Sequence, residues 1–160
     1  MLEETIAKLE AIEFRLNMSS YLAILADAQW QQGNLEDAKK TCDRALALIS
    51  SGADRWFEPE VLRIDALVES RLNPGNAEKI EAKFCRSIDC AKKMGFPVFE
   101  LRGLLTLQNS SGLNRHDIDI KSRIKELSHL QNLDRRVEAA IEARRVHLTQ
   151  SSGNEESRVN

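Results

Sequence analysis

The sequence predicts an all-α fold, a stack of antiparallel helix pairs. Three observations carry that expectation. Ala, Leu, Ile, Glu, Lys and Arg dominate the composition while aromatic residues make up only 5%; all of these but β-branched Ile lose little rotamer freedom in a helix. Apolar residues recur at helical spacing in one segment after another. The breaks between those segments are Gly- and Pro-containing turns, as at Gly33-Asn34, Ser50-Ser51-Gly52 and Asn73-Pro74-Gly75-Asn76. At 160 residues the chain holds one compact domain or about three to four helix pairs.

Leu2, Ile6, Leu9 and Leu16 mark a first helix over about 2–14, with Glu3 and Glu4 placed well for its N-terminus. It has no partner before it in sequence. Such an orphan helix is expected to expose an apolar flank unless a second chain or an upstream segment covers it. The first pair spans about 19–32 and 35–50, with Ser19 or Ser20 as the expected N-cap and Gly33 at the turn. Leu22, Leu25 and Ala26 face Ala38, Cys42, Ala45, Leu46 and Ile49, and the alanines permit a close crossing.

Asp54 is the expected cap of the next helix, and Pro59 is compatible only with its first turn. Val61, Ile64, Leu67 and Val68 form its apolar face; Ile80, Phe84, Ile88 and Ala91 form that of the returning helix, which stops at Gly95. A third pair follows Phe96-Pro97. Leu101, Leu104, Leu105 and Leu107 serve its first helix, and Ile120, Ile124, Leu127 and Leu130 its second, across the loop-like segment 108–114. A helix over about 134–148 is expected to cap the stack, closing a domain of residues 1–148. The polar tail 149–160 is expected to be disordered.

Ala38 and Ile80, Cys42 and Phe84, Ala45 and Ser87, and Leu46 and Ile88 stand at one offset of about 42 residues, a repeat signature. Leu22, Leu25, Ala26, Gly33, Ala38 and Ala45 also fall at the spacing of the tetratricopeptide (TPR) pattern, although Gln29 and Cys42 stand where aromatic residues are usual and the offset exceeds ~34. From Ile12 to Leu107 the chain resembles the degenerate TPR region at the C-terminus of bacterial signalling proteins that carry a nucleotide cyclase or DNA-binding domain and an ATPase module. The residues carrying the resemblance are RLNMSSYLAILADAQWQQGNLEDAKKTCDRALAL, RWFEPEVLRIDAL and EAKFCRSIDCAKKMGFPVFELRGLLTL. Asp65 and Ala66 depart from it, where the family prefers a basic residue and Gly, as does the segment 108–114.

The resemblance implies a right-handed α-α superhelix of about three hairpins, with the orphan helix at one end and the capping helix at the other. It implies a bacterial, non-enzymatic protein-interaction module that binds a protein or peptide on its concave face. It also implies which outward residues of the first helices would meet that partner: Ser20, Ala23, Asp27, Trp30 and Gln31, then Glu60, Arg63, Leu67 and Arg71, then Arg102. A helix-terminal Trp beside Arg residues suits an anchor site. The weightier alternative is that Trp30 packs on the next repeat and the arginines are solvated. Trp56 and Phe57 are expected to plug the junction between repeats.

Chemistry-bearing patterns are missing. Cys85 and Cys90 are five apart on one helix and point in different directions; His116, His129 and His147 are scattered. No CxxC or HExxH spacing and no phosphate-cradling glycine loop is present, so no metal, cofactor or catalytic residue is assigned. Asp117 and Asp119 are read as acids opening a helix, not as a cyclase metal pair. Arg135, Arg136, Arg144 and Arg145 alternate with Glu138 and Glu142, a solvated face and not a nucleic-acid stripe. The net charge of −2, the lack of a membrane-spanning apolar run and three unframed cysteines point to the cytoplasm, away from nucleic acid and membranes. Two other roles are carried alongside. One is a detached C-terminal region of a cyclase or ATPase-type regulator without activity of its own; the other is a structural domain that self-associates through its first helix; an enzyme using the scattered Cys, His and Asp residues ranks far below both.

Overall fold

A computed structural model describes residues 2–11, 17–52, 55–110 and 121–129. The chain divides into two compact units, Met1–Asp117 and Ile118–Asn160. Among the described residues all regular structure is helical, and no helix is long and apolar enough to cross a membrane. The first unit contains α1 (Leu2–Ala11), α2 (Met18–Gln31), α3 (Leu35–Ser50), α4 (Glu58–Leu72), α5 (Ala77–Met94) and α6 (Pro97–Asn109). In the second unit residues 121–129 are helical, with Leu127 buried and Arg123 paired to Glu126 at 2.9 Å. The expected helix over 134–148, the tail 149–160 and the Asp54 cap lie outside the described residues.

Local chemistry sets the ends of these helices. At α2 the chain leaves through Gly33 at φ +82°, with Asn34 N–H donating to Gln29 C=O and Gly33 N–H to Trp30 C=O. At α5 it leaves through Gly95 at φ +70°, with Phe96 N–H on Ala91 C=O and Gly95 N–H on Lys92 C=O. Both are the same left-handed C-terminal motif, which a residue bearing a Cβ enters only with strain. Pro59 and Pro97 each occupy the first turn of a helix, where the missing N–H costs nothing. The cap of α2 differs from expectation. Asn17, at φ +57°, precedes the helix, while Ser19 and Ser20 are inside it and buried; the Ser20 hydroxyl bonds back to Asn17 C=O at 2.7 Å.

The α2–α3 and α4–α5 hairpins pack side by side through α3 against α4, and α6 packs on α5. The first helices also meet directly, α2 with α4 and α4 with α6. Helix α4 therefore touches four neighbours, and Glu58–Ala66 is buried without interruption. Ala38, Cys42 and Ala45 on α3 and Ile80, Phe84, Ser87 and Ile88 on α5 are buried, as their common offset predicts, while Leu46, the counterpart of Ile88, is half-buried. Each large apolar side chain so buried stabilises by about 1.5–3 kcal/mol. Gly103 of α6 lies against Ile88, whose Cγ1 would be 2.8 Å from an added Cβ, so these two helices approach closely there.

Two details correct the sequence expectation. Leu105 points outward, at 38% exposure, and Leu107 inward. The large apolar residues of helix α1 turn inward: Ile6 is buried in the α2–α3 core, and Leu2 and Leu9 pack against it. Gln29 explains part of this. Its amide donates to Glu3 of α1 at 3.1 Å and accepts from Thr41 of α3 at 2.8 Å, so the residue that breaks the TPR pattern ties three helices together.

Candidate functional site

The adjacency of α2, α4 and α6 collects the residues expected to meet a partner into two groups. The first is a charge network. Glu60 accepts from Arg63 through both carboxylate oxygens, at 2.7 and 3.0 Å, and its Oε1 lies 2.8 Å from Arg102 Nη2. Arg63 also reaches Thr106 Oγ1 at 3.4 Å and stands 4.0 Å from Asp27, which accepts from Gln31. Glu60 and Arg63 are buried, whereas Arg102 keeps 49% of its side chain exposed. Two guanidiniums compensate the desolvated carboxylate; removal of either partner of such a buried pair leaves a costly unpaired charge.

Trp30 and Arg71 form the second group. The Arg71 guanidinium carbon sits 4.1 Å from the indole centroid, and Nη1 donates to Trp30 C=O at 3.0 Å. Trp30 is half-buried against the core. Its Nε1 is buried without a hydrogen-bond partner. Ser20 and Ala23, expected to face outward, are buried; Leu67 is half-buried and Gln31 exposed. Ile24, not singled out by the sequence, is 52% exposed on the same side of α2 as Asp27 and Gln31, one helical turn from Asp27.

On the opposite flank of α4 runs an acidic seam that sequence reasoning missed. Asp65 and Glu69 are buried and one turn apart, gripped by lysines of α3 and α5. Lys83 Nζ reaches Asp65 at 2.7 Å and Glu69 at 3.1 Å; Lys79 reaches Glu69 at 2.9 Å. Lys39, itself bonded to Asp43, approaches Asp65 Oδ1 at 3.3 Å, off the hydrogen-bond direction. The hydrogen bond from Lys79 outweighs burial and, with Lys83, lowers the Glu69 carboxyl to about 2. Burial, followed by the Asp65 charge, pushes the Cys42 thiol up to about 12. The i, i+4 spacings of Asp65 with Glu69 and Lys79 with Lys83 were the available signal.

Trp56 does not plug the junction as expected: it is 41% exposed, with Nε1 donating to Asn17 Oδ1 at 3.2 Å, while Phe57 is half-buried beneath it. Among the described residues no three His, Cys, Asp or Glu side chains converge as metal ligands. Comparison with protein-family models, with curated proteins and with solved structures found no match.

Proposed function

We propose that this chain is a TPR-like stack of helix hairpins that works by binding, taking a protein or peptide segment on the face formed by α2, α4 and α6. The observation that carries this reading is the composition of that face. Exposed Ile24 and Leu105 and half-exposed Arg102 accompany a charge network whose buried members, Glu60 and Arg63, hold the outer ones in place. Aliphatic contacts joined to a pre-positioned arginine are what a docking surface needs, since ordering long side chains on binding is costly. Contacts among the described helices of the first unit run only between neighbouring pairs, which supports a repeat stack. Self-association through α1 has less support, because Ile6, Leu2 and Leu9 turn inward.

The test is selection from a random peptide library on the immobilised full chain, with counter-selection on the Ile24→Glu variant. Peptides that hold the wild-type chain and lose the variant support the proposal. Enrichment that ignores Ile24→Glu and Arg102→Ala alike contradicts it.

A further inference from the structure

A groove of about 500 Å³ opens between the start of α4 and the second half of α5. Leu62, 4% exposed, lines its base together with half-buried Cys85 and Cys90. Arg55, Arg86 and Lys93 stand around it with Glu58 and Asp89. Arg55 is taken up by Glu58, at 2.8 Å. Arg86 and Lys93 are exposed and form no ion pair with another described residue. Beside Arg55, exposed Trp56 begins a row of edge-to-face rings, Trp56–Phe57–Phe99–Phe96, with centroid spacings of 4.7, 5.2 and 5.8 Å. Val98, next to Phe99, is 45% exposed. The volume lies within the range of roughly 300–1,000 Å³ typical of ligand sites.

We infer that this groove docks a short acidic segment of another protein, one apolar side chain entering over Leu62 and flanking carboxylates meeting Arg86 and Lys93. Charge complementarity selects the occupant: neither cation forms an ion pair with another described residue, and both flank an apolar base. A flat anionic bilayer fits less well, because it would press phosphates against Glu58 and Asp89, whereas a peptide can set its acids opposite the cations alone. The groove lies on α4 and α5 and does not depend on the α2–α4–α6 face.

The experiment is fluorescence polarisation of a labelled nonapeptide alternating Glu with Leu and Phe, titrated with the full chain. Saturable binding is expected, weakened about tenfold or more by Arg86→Glu with Lys93→Glu, while Lys40→Ala, at an exposed position of α3, stays within about twofold. A matched peptide with Lys in place of Glu should not bind. The two charge reversals are at exposed positions, and a thermal unfolding curve checks each variant. The inference is overturned by absence of saturable binding, by affinity indifferent to the charge reversals, by sedimentation with phosphatidylglycerol vesicles in preference to the peptide, or by a dimer that the charge reversals dissolve.

Discussion

Arg71 holds Trp30 twice, with its guanidinium 4.1 Å from the indole centroid and a 3.0 Å hydrogen bond to the Trp30 carbonyl. That carbonyl also accepts from Gly33 N–H at the end of α2. One side chain near the end of α4 therefore secures the ring and the C-terminal turn of the preceding first helix. Arg71→Ala is expected to cost about 1 kcal/mol in denaturant unfolding, the sum of a partly exposed cation–π contact and one hydrogen bond. Arg71→Lys should recover only part of it, because an ammonium cannot stack flat on the ring. Full stability in both variants would show that the contact is incidental.

Glu69 links the seam to pH. Its carboxyl titrates near 2 in the folded chain against an ordinary value of 4.5. The unfolded chain therefore binds the proton first, and the stabilisation is complete above 4.5 and drains away as pH falls toward 2. The span is worth on the order of 2 kcal/mol once the half-exposed Lys79 is discounted. Unfolding free energies measured from pH 6 down to about 2 should fall more steeply in the wild-type chain than in Glu69→Gln. Parallel curves would remove Glu69 from the account.

Gly103→Ala tests the closeness of α5 and α6. The new Cβ would sit 2.8 Å from Ile88 Cγ1, so the isoleucine must shift, at a cost of about 1–3 kcal/mol. Ile88→Ala removes that atom. The two substitutions together should be less destabilising than their sum, a coupling that a double-mutant cycle in urea resolves.

The cysteines should separate by reactivity. Cys42 is 1% exposed and its thiol is pushed up to about 12, so it should resist an alkylating reagent until the chain unfolds. Cys85 and Cys90, half-buried beside the groove, should react in the native state, with Cys90 slowed because burial raises its thiol. Mass spectrometry of timed iodoacetamide digests reads the order directly; early labelling of Cys42 would contradict the packing described for α3.

Much of the helical order was legible because period and punctuation are local. Gly33, Gly95, Pro59 and Pro97 mark helix ends through their own backbone restrictions, and the offset from Ala38 to Ile80 marks a repeated buried face. The misreadings arose where tertiary neighbours decide. Residue type alone groups Leu105 with its inward neighbours, yet Gly103, Leu104 and Leu107 fill the buried side of α6. Gln29 looked like a defect until Glu3 and Thr41 satisfied both ends of its amide. Nothing local marks Asp65 and Glu69 as buried, since only lysines from other helices make their burial tolerable. Of the outward residues, Asp27, Glu60, Arg63 and Arg102 do converge; Ser20 and Ala23 do not, because α2 is buried on more sides than one stripe implies.

The most direct test of the α2–α4–α6 face is the affinity of one library-selected peptide for four forms of the full chain. The account predicts at least about tenfold weaker binding by Ile24→Glu and by Arg102→Ala, with Glu78→Lys on α5 unchanged. Equal affinity in all four, with their folds intact, would contradict it.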